Sequence, residues 1–365
     1  MTAASASESA TLARAQRGLA AARRPFAPGP GAEAERLREA YLGLLKLCLC
    51  DLAATTTTSV GRTERGVVAS RELAGEQLRL RAAGMDWPLH GMTMVGLRRL
   101  DDLQACVEAV VRDGVEGELI EAGSWRGGAS ILIRATLDSL GAQERTVWVA
   151  DSFQGFPLGE TARRSDEQWS EIDYLSVPLD EVRANFARLG VAAGVEFLPG
   201  FFSQTLPGLA GRRWSLVRLD GDTYDATVTA LRCLYPGLSA GGFLIVDDYG
   251  ALADCRRAVD EFRTAAMIHE PLEEVDWTSV RWRKAVESPI PTDGGAAGRA
   301  ALDGGSATPV ARSSRRIPSL HELELARELE QLRSRLAAAE HEVARRRAAP
   351  LRARLRRKLA RRESS

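Results

Sequence analysis

Four aspartates stand at two points of the chain, Asp220 and Asp222 in RLDGDTY and Asp247 and Asp248 in LIVDDYG. Carboxylates converging on one point repel unless something neutralises them. A hard divalent cation with oxygen ligands, Mg2+ most simply, is the natural partner for such a set. One of the same carboxylates can also accept a proton from a reacting hydroxyl. Turns and helix caps attract Asp for purely local reasons. Two adjacent acidic ends with four Asp between them favour a site over that plainer explanation.

The elements around these residues say why they should meet. The apolar run 216–219 reads as a strand that ends in Asp220-Gly221-Asp222. Val228, Leu231, Leu234 and Leu238 come next at helical spacing, and Gly241-Gly242 breaks the pattern. A second apolar run, 243–246, ends in Asp247-Asp248. A strand–helix–strand crossover makes the two strands parallel neighbours, with their carboxyl ends side by side.

A second group of residues suits a cofactor. The run Glu121-Ala-Gly123-Ser-Trp-Arg-Gly127-Gly128 closes a short strand, 118–122. It lacks the three-glycine spacing that admits a dinucleotide pyrophosphate, which counts against NAD or FAD. It does let a ligand pass close over backbone at Gly123, and Glu121 could accept a hydrogen bond from an amine. Asp151 closes the next strand, 147–150, where an acidic residue can bind ribose hydroxyls or simply cap a helix. Phe202 closes a third, 195–198, as a stacking platform or a core aromatic. His90 lies in the turn 87–92 and is read as structural.

The wider pattern alternates strands and helices from residue 116 to residue 287, which implies an α/β fold with an open parallel sheet covered on both faces. Closing strands are expected at 271–275 and 277–286. Helices are expected at 34–52, with Leu37, Tyr41, Leu44, Leu45, Cys48 and Leu52 on one face, and at 93–112. The polar stretch 55–75 between them reads as a loop. Residues 1–35 form an Ala/Arg-rich leader read as disordered. Residues 158–177 are a polar insertion. After residue 287 a Gly/Ala/Pro/Ser linker, 288–318, leads to a heptad helix, 319–365, carrying Leu325, Leu329, Leu332 and Leu336 and ending in a densely basic run. That tail could pair chains or dock on an anionic surface. Forty-nine basic residues balance forty-nine acidic ones, so nothing points to a nucleic acid. No run spans a membrane. The five scattered cysteines read as reduced thiols of a cytoplasmic protein.

Together, E-x-G-x-x-x-G-G, VWVADSFQGFP, GFFSQTLP, VRLDGDTYDATVTALRCLYPGLSAGGFLIVDDYG and CRRAVDEFR resemble the macrocin O-methyltransferase family over roughly residues 37–286. Ala122 and Ser124 stand where that family often has other small residues. The resemblance implies a Rossmann-like S-adenosylmethionine methyltransferase fold with an N-terminal helical lid (the stretch 55–75), here joined to the coiled-coil-like tail. It implies cofactor contacts by Glu121, Gly123, Asp151, Ser152 and Phe202. It places Mg2+ on Asp220, Asp247 and Asp248; a base must still take the proton, and Asp220 or Asp222 is the nearest candidate in sequence. The expected reaction is methylation of a sugar hydroxyl, on an acceptor with adjacent hydroxyls. Two alternatives stand beside it: an Asp-metal phosphohydrolase, and a degenerate methyltransferase fold that serves assembly through its C-terminal helix.

Overall fold

The computed structural model describes residues 30–62, 68–157 and 172–285. The leader 1–29, most of the insertion, the linker and the heptad tail lie outside the described residues. The chain divides into two compact units, residues 1–60 with 70–315 and residues 61–69 with 316–365. The first unit holds every strand of the main sheet.

Ahead of the main sheet come α1 (Pro30–Leu49), β1 (Thr56–Arg62), β2 (Val68–Ala74), α2 (Leu78–Ala82), β3 (Trp87–Pro88) and α3 (Leu97–Arg112). The stretch expected as a loop therefore holds two strands, β1 and β2. Its strands join β3 in a three-stranded sheet of order β2-β1-β3. Thr57 and Ser59 turn inward while Thr58 between them is less buried, the period-two pattern of a strand written in hydroxyl residues. β-branched threonines favour that conformation.

Helix α1 also departs from expectation. Leu42, Leu45, Leu47 and Leu49 are buried, whereas Leu37, Tyr41, Leu44 and Cys48 lie exposed. The helix is apolar on nearly every side, so spacing alone picks the wrong stripe. Helix α3 behaves as its pattern demands, burying Leu97, Leu100, Leu103, Val107 and Val110.

The main sheet is built from β4 (Glu118–Ala122), α4 (Gly128–Ser139), β5 (Val147–Asp151), α5 (Leu179–Arg188), β6 (Val195–Pro199), the single turn α6 (Phe202–Thr205), β7 (Trp214–Leu219), α7 (Tyr224–Leu234), β8 (Leu238–Val246), α8 (Ala253–Ala265), β9 (Glu273–Glu274) and β10 (Val280–Arg283). Its order is β6-β5-β4-β7-β8-β10-β9. The five strands from β6 to β8 run parallel, and β10 closes antiparallel on β8 with Val280 opposite Val246. The closing strands are shorter than their sequence pattern suggests. The pair Gly241-Gly242 lies inside β8 rather than ahead of it. Gly241 has φ +83°, and the register of β8 against β7 shifts between Trp214 and Leu216. This is the irregularity a backbone glycine permits.

Strand alternation divides the core. Leu119 and Leu216 face a layer that includes Leu100, Leu132 and Phe186. Ile120 and Val217 face the opposite layer, with Leu231, Leu234 and Phe262. Among the described residues, no helix is long and apolar enough to cross a membrane. Strand order reverses at β4, whose neighbours are β5 on one side and β7 on the other. Ligands of open α/β sheets bind in the crevice beyond the carboxyl ends of the strands at such a point.

Candidate active site

The crevice at the ends of β4, β5, β6 and β7 opens into a cavity of about 210 Å³. Gly123, Asp151, Ser152, Phe202, Asp220 and Asp222 line it, with Met94, Trp125, Phe156 and Leu175 on its apolar walls. The ladder continues into the turn: Gly123 N donates to the Ala150 carbonyl and Asp220 N to the Ala122 carbonyl, both at 2.9 Å. Gly123 has φ +93°, and a Cβ there would stand 1.8 Å from the Asp220 carbonyl oxygen. Only glycine fits.

Asp151 holds this turn in place. Its Oδ2 accepts from Ser124 N at 2.7 Å, Trp125 N at 3.2 Å and Ser124 Oγ at 3.2 Å, and its Oδ1 accepts from Phe153 N at 2.9 Å. A carboxylate offers about four lone-pair sites, so Oδ1 retains capacity for one further donor in the cavity. Trp125 (φ +47°) and Asp222 (φ +58°), two cavity-lining residues, hold left-handed backbone. Such conformations concentrate at functional sites. Ser152 Oγ donates to the Gly155 carbonyl at 2.6 Å, shaping the rim after β5. Phe202 opens the single turn beyond β6.

On the other side, Thr223 caps α7, its Oγ1 accepting from Ala226 N at 3.3 Å. That cap starts the helix at Tyr224 and leaves Asp220-Gly221-Asp222 as the turn before it. Carboxylate oxygens of Asp220, Asp222 and Asp248 all lie within 4.8 Å of one another. Oδ2 of Asp248 is buried without a hydrogen-bond partner. Burial, then Asp220, Asp247 and Asp151, pushes the Asp222 carboxyl up to about 8. Burial and the neighbouring Asp222 and Asp220 drive Asp248 well above the carboxylate range. Arg218 pairs with Asp220, but it shares its charge with Asp247 and Glu121. An all-oxygen, orphan-bearing set of this kind fits a hard divalent cation.

Asp247 sits differently from the metal set expected from sequence. Its Oδ1 accepts from Arg218 at 2.5 Å and its Oδ2 from Arg99. Burial raises its carboxyl, but Arg218 and Arg99 outweigh burial and hold it below its ordinary value. Among the described residues the three carboxylates that stand together are Asp220, Asp222 and Asp248. Glu121 likewise stands away from the cavity wall, 1 % exposed, its carboxylate engaged by Arg218 and Ser130 Oγ. Burial pushes it up to about 7 in spite of Arg218. His90 is exposed and does not line the cavity.

Arg218, the first residue of RLDGDTY, and Arg99, which stands outside the acidic and glycine motifs, both hold the carboxylates of the site. Arg218 carries a signal in sequence, a charged residue within the apolar run Leu216–Leu219, which is buried only when paired. Arg99, on the buried side of α3, reaches Asp247 and, at 3.0 Å, Asp276.

The matches to known proteins agree with this geometry. The macrocin O-methyltransferase (TylF) family model matches residues 49–284. The chain is 49% identical over 213 residues to the 8-demethyl-8-(2,3-dimethoxy-α-L-rhamnosyl)-tetracenomycin-C 4'-O-methyltransferase of Streptomyces olivaceus, covering 57% of this chain and 81% of that one. It is 40% identical over 254 residues to the mycinamicin III 3''-O-methyltransferase of Micromonospora griseorubida, covering 68% and 97%. Its fold is similar to the solved O-methyltransferase NovP, with TM-score 0.59 and 37% identity over 68% of this chain and 99% of that chain. Each is named as an O-methyltransferase and none as a phosphohydrolase. The chain therefore belongs to the macrocin O-methyltransferase family and is an O-methyltransferase.

Proposed function

We propose that this enzyme is S-adenosylmethionine- and Mg2+-dependent and methylates a hydroxyl of a sugar, on a natural product or a related glycan. The observation that carries this reading is the juxtaposition of two half-sites in one crevice. A glycine turn clamped by Asp151 stands next to three aspartates, one of whose oxygens has no partner. The relatives support the acceptor class: one is named for a rhamnosyl-bearing substrate and another as acting on mycinamicin III.

Gly123, Asp151, Ser152 and Phe202 are the residues that would hold the cofactor. Asp220, Asp222 and Asp248 would hold the ion. Bound S-adenosylmethionine supplies the methyl group, and bound Mg2+ lowers the pKa of an acceptor hydroxyl and orients it. Asp222 is the proposed acceptor of the hydroxyl proton, because Arg218 pairs with Asp220 at 2.9 Å and no arginine among the described residues pairs with Asp222. Met94, Phe156 and Leu175 form an apolar wall against which an acceptor can be positioned.

The test is methyl transfer to a panel of glycosides, with and without Mg2+. The wild type should transfer only with the ion present, and to sugars with adjacent hydroxyls. Asp222→Asn should lower kcat by about 10²- to 10⁴-fold, the usual range for loss of a general base. Full turnover in a chelator would sink the metal half of the reading.

A further inference from the structure

One guanidinium ties together the ends of three parallel strands. Arg218, second from the end of β7, is 2 % exposed. Its Nη1 donates to Glu121 of β4, two residues before Gly123. Its Nη2 donates to Asp247 beyond β8 at 2.5 Å and pairs with Asp220 beyond β7 at 2.9 Å. The other oxygen of Glu121 accepts from Ser130 of α4, the helix that the glycine turn opens. The rigid fork of arginine can make these contacts at once, whereas a lysine offers a point charge.

We infer that Arg218 is a positioning residue that couples the cofactor turn to the acidic triad, with Glu121 as its relay. The inference rests on the methyltransferase reading above. Its physical basis is competition for one cation. Asp220 is shared between Arg218 and the triad, so an ion that engages Asp220 frees part of the guanidinium for Glu121 and Asp247. The end of β4 is then drawn tighter. The Gly123 and Asp220 backbones already touch, so the two turns move as one unit. Glu121 thereby acts on the cofactor through Arg218 and Ser130 rather than by direct contact.

The experiment is calorimetric titration of S-adenosylhomocysteine into the full-length protein, with and without saturating Mg2+, for wild type, Arg218→Lys and Glu121→Gln. The product analogue lacks the sulfonium charge, so direct repulsion between sulfonium and ion does not enter. In wild type, Mg2+ should tighten the analogue by about fivefold or more, the lower end of ordinary coupling between sites. In both variants that ratio should fall to near one while each still binds the analogue. A ratio retained in both variants overturns the inference, whatever happens to their melting temperatures. So does a wild-type ratio of one, which leaves the methyltransferase reading standing. A direct Glu121 contact would instead weaken binding equally with and without Mg2+, and that result also overturns it. No binding by wild type under either condition overturns the underlying reading and the inference with it. Should Arg218→Lys fail to fold, Glu121→Gln alone decides, since it keeps the shape of the side chain and its Ser130 contact.

Discussion

The missing side chain of Gly123 is what lets the carbonyl of Asp220 pass beside it, since a Cβ there would sit 1.8 Å from that oxygen. The contact places the cofactor turn of β4 and the acidic turn of β7 in one crevice. It exists because β4 and β7 are parallel neighbours whose last paired residues, Ala122 and Leu219, are in register.

Gly123→Ala therefore faces two costs. The φ of +93° is strained for any side chain, on the order of 1–3 kcal/mol, and the backbone of Asp220 must move as well. Melting temperature should fall, and cofactor binding measured by calorimetry should be lost. A Gly123→Ala protein that binds S-adenosylhomocysteine as wild type does would contradict the close-packed turn.

Asp247 and Asp248 are adjacent in sequence and should behave in opposite ways. Asp248→Asn removes a repelled carboxylate, so it should raise the melting temperature of the metal-free protein. It should also abolish the stabilisation expected from Mg2+ in wild type under the proposed function, about 2.7 kcal/mol at a hundredfold excess over the dissociation constant. Asp247→Asn removes the carboxylate that two buried arginines share and should destabilise the fold by about 3 kcal/mol. Urea titrations with and without Mg2+ separate the two. Equal effects from the two substitutions would contradict the assignment.

Asp220, Asp248 and Asp151 are legible in the sequence because an apolar run that switches abruptly to acid marks a strand end, whatever the fold around it. Gly123 is legible because glycine directly after a strand marks a turn where backbone approaches closely. Which of Asp222 and Asp247 stands beside Asp220 and Asp248 is not legible. Successive residues at a strand end point to opposite sides, and what draws Asp247 inward is Arg218 from one strand and Arg99 from a helix 148 residues away in sequence. Strand β1 is hidden because two of its buried residues, Thr57 and Ser59, are polar and break the apolar alternation that would mark it. In α1 the apolar residues run round the whole helix, so the buried stripe is decided by what packs against it.

The titration of the site sets a pH dependence. Asp222 moves from 3.8 to about 8 and Glu121 from 4.5 to about 7 on folding, both chiefly through burial. A carboxyl raised in the folded state is protonated there while the unfolded chain has already lost its proton. Stability of the metal-free protein should thus be highest near pH 4 and decline through pH 8 as these groups ionise. Under the proposed function, Mg2+ on the ionised triad should flatten that decline. Thermal melts across this range, in chelator and in Mg2+, read both curves, and a metal-free stability that rises from pH 5 to 8 would contradict the raised carboxyls.

Arg81 anchors β1. It is 2 % exposed, grips Asp86 with Nε at 2.8 Å and Nη2 at 2.7 Å, and donates to Thr57 Oγ1 at 2.8 Å and the Thr58 carbonyl at 3.0 Å. Arg81→Met leaves Asp86 buried and unpaired, which should cost about 3–5 kcal/mol. Amide exchange at residues 57–60 should accelerate, while exchange in β4 and β7 changes in step with global stability alone. Unchanged exchange at 57–60 would show that β1 is held by other contacts.

The central claim is that one crevice holds both a cofactor and an ion, and its most direct test is calorimetric titration of S-adenosylmethionine and of Mg2+ into wild type and Asp248→Asn. Wild type should bind both, and Asp248→Asn should bind the cofactor but not the ion and transfer no methyl group. A variant that still binds Mg2+ with wild-type affinity, or a wild type that binds no S-adenosylmethionine, would contradict it.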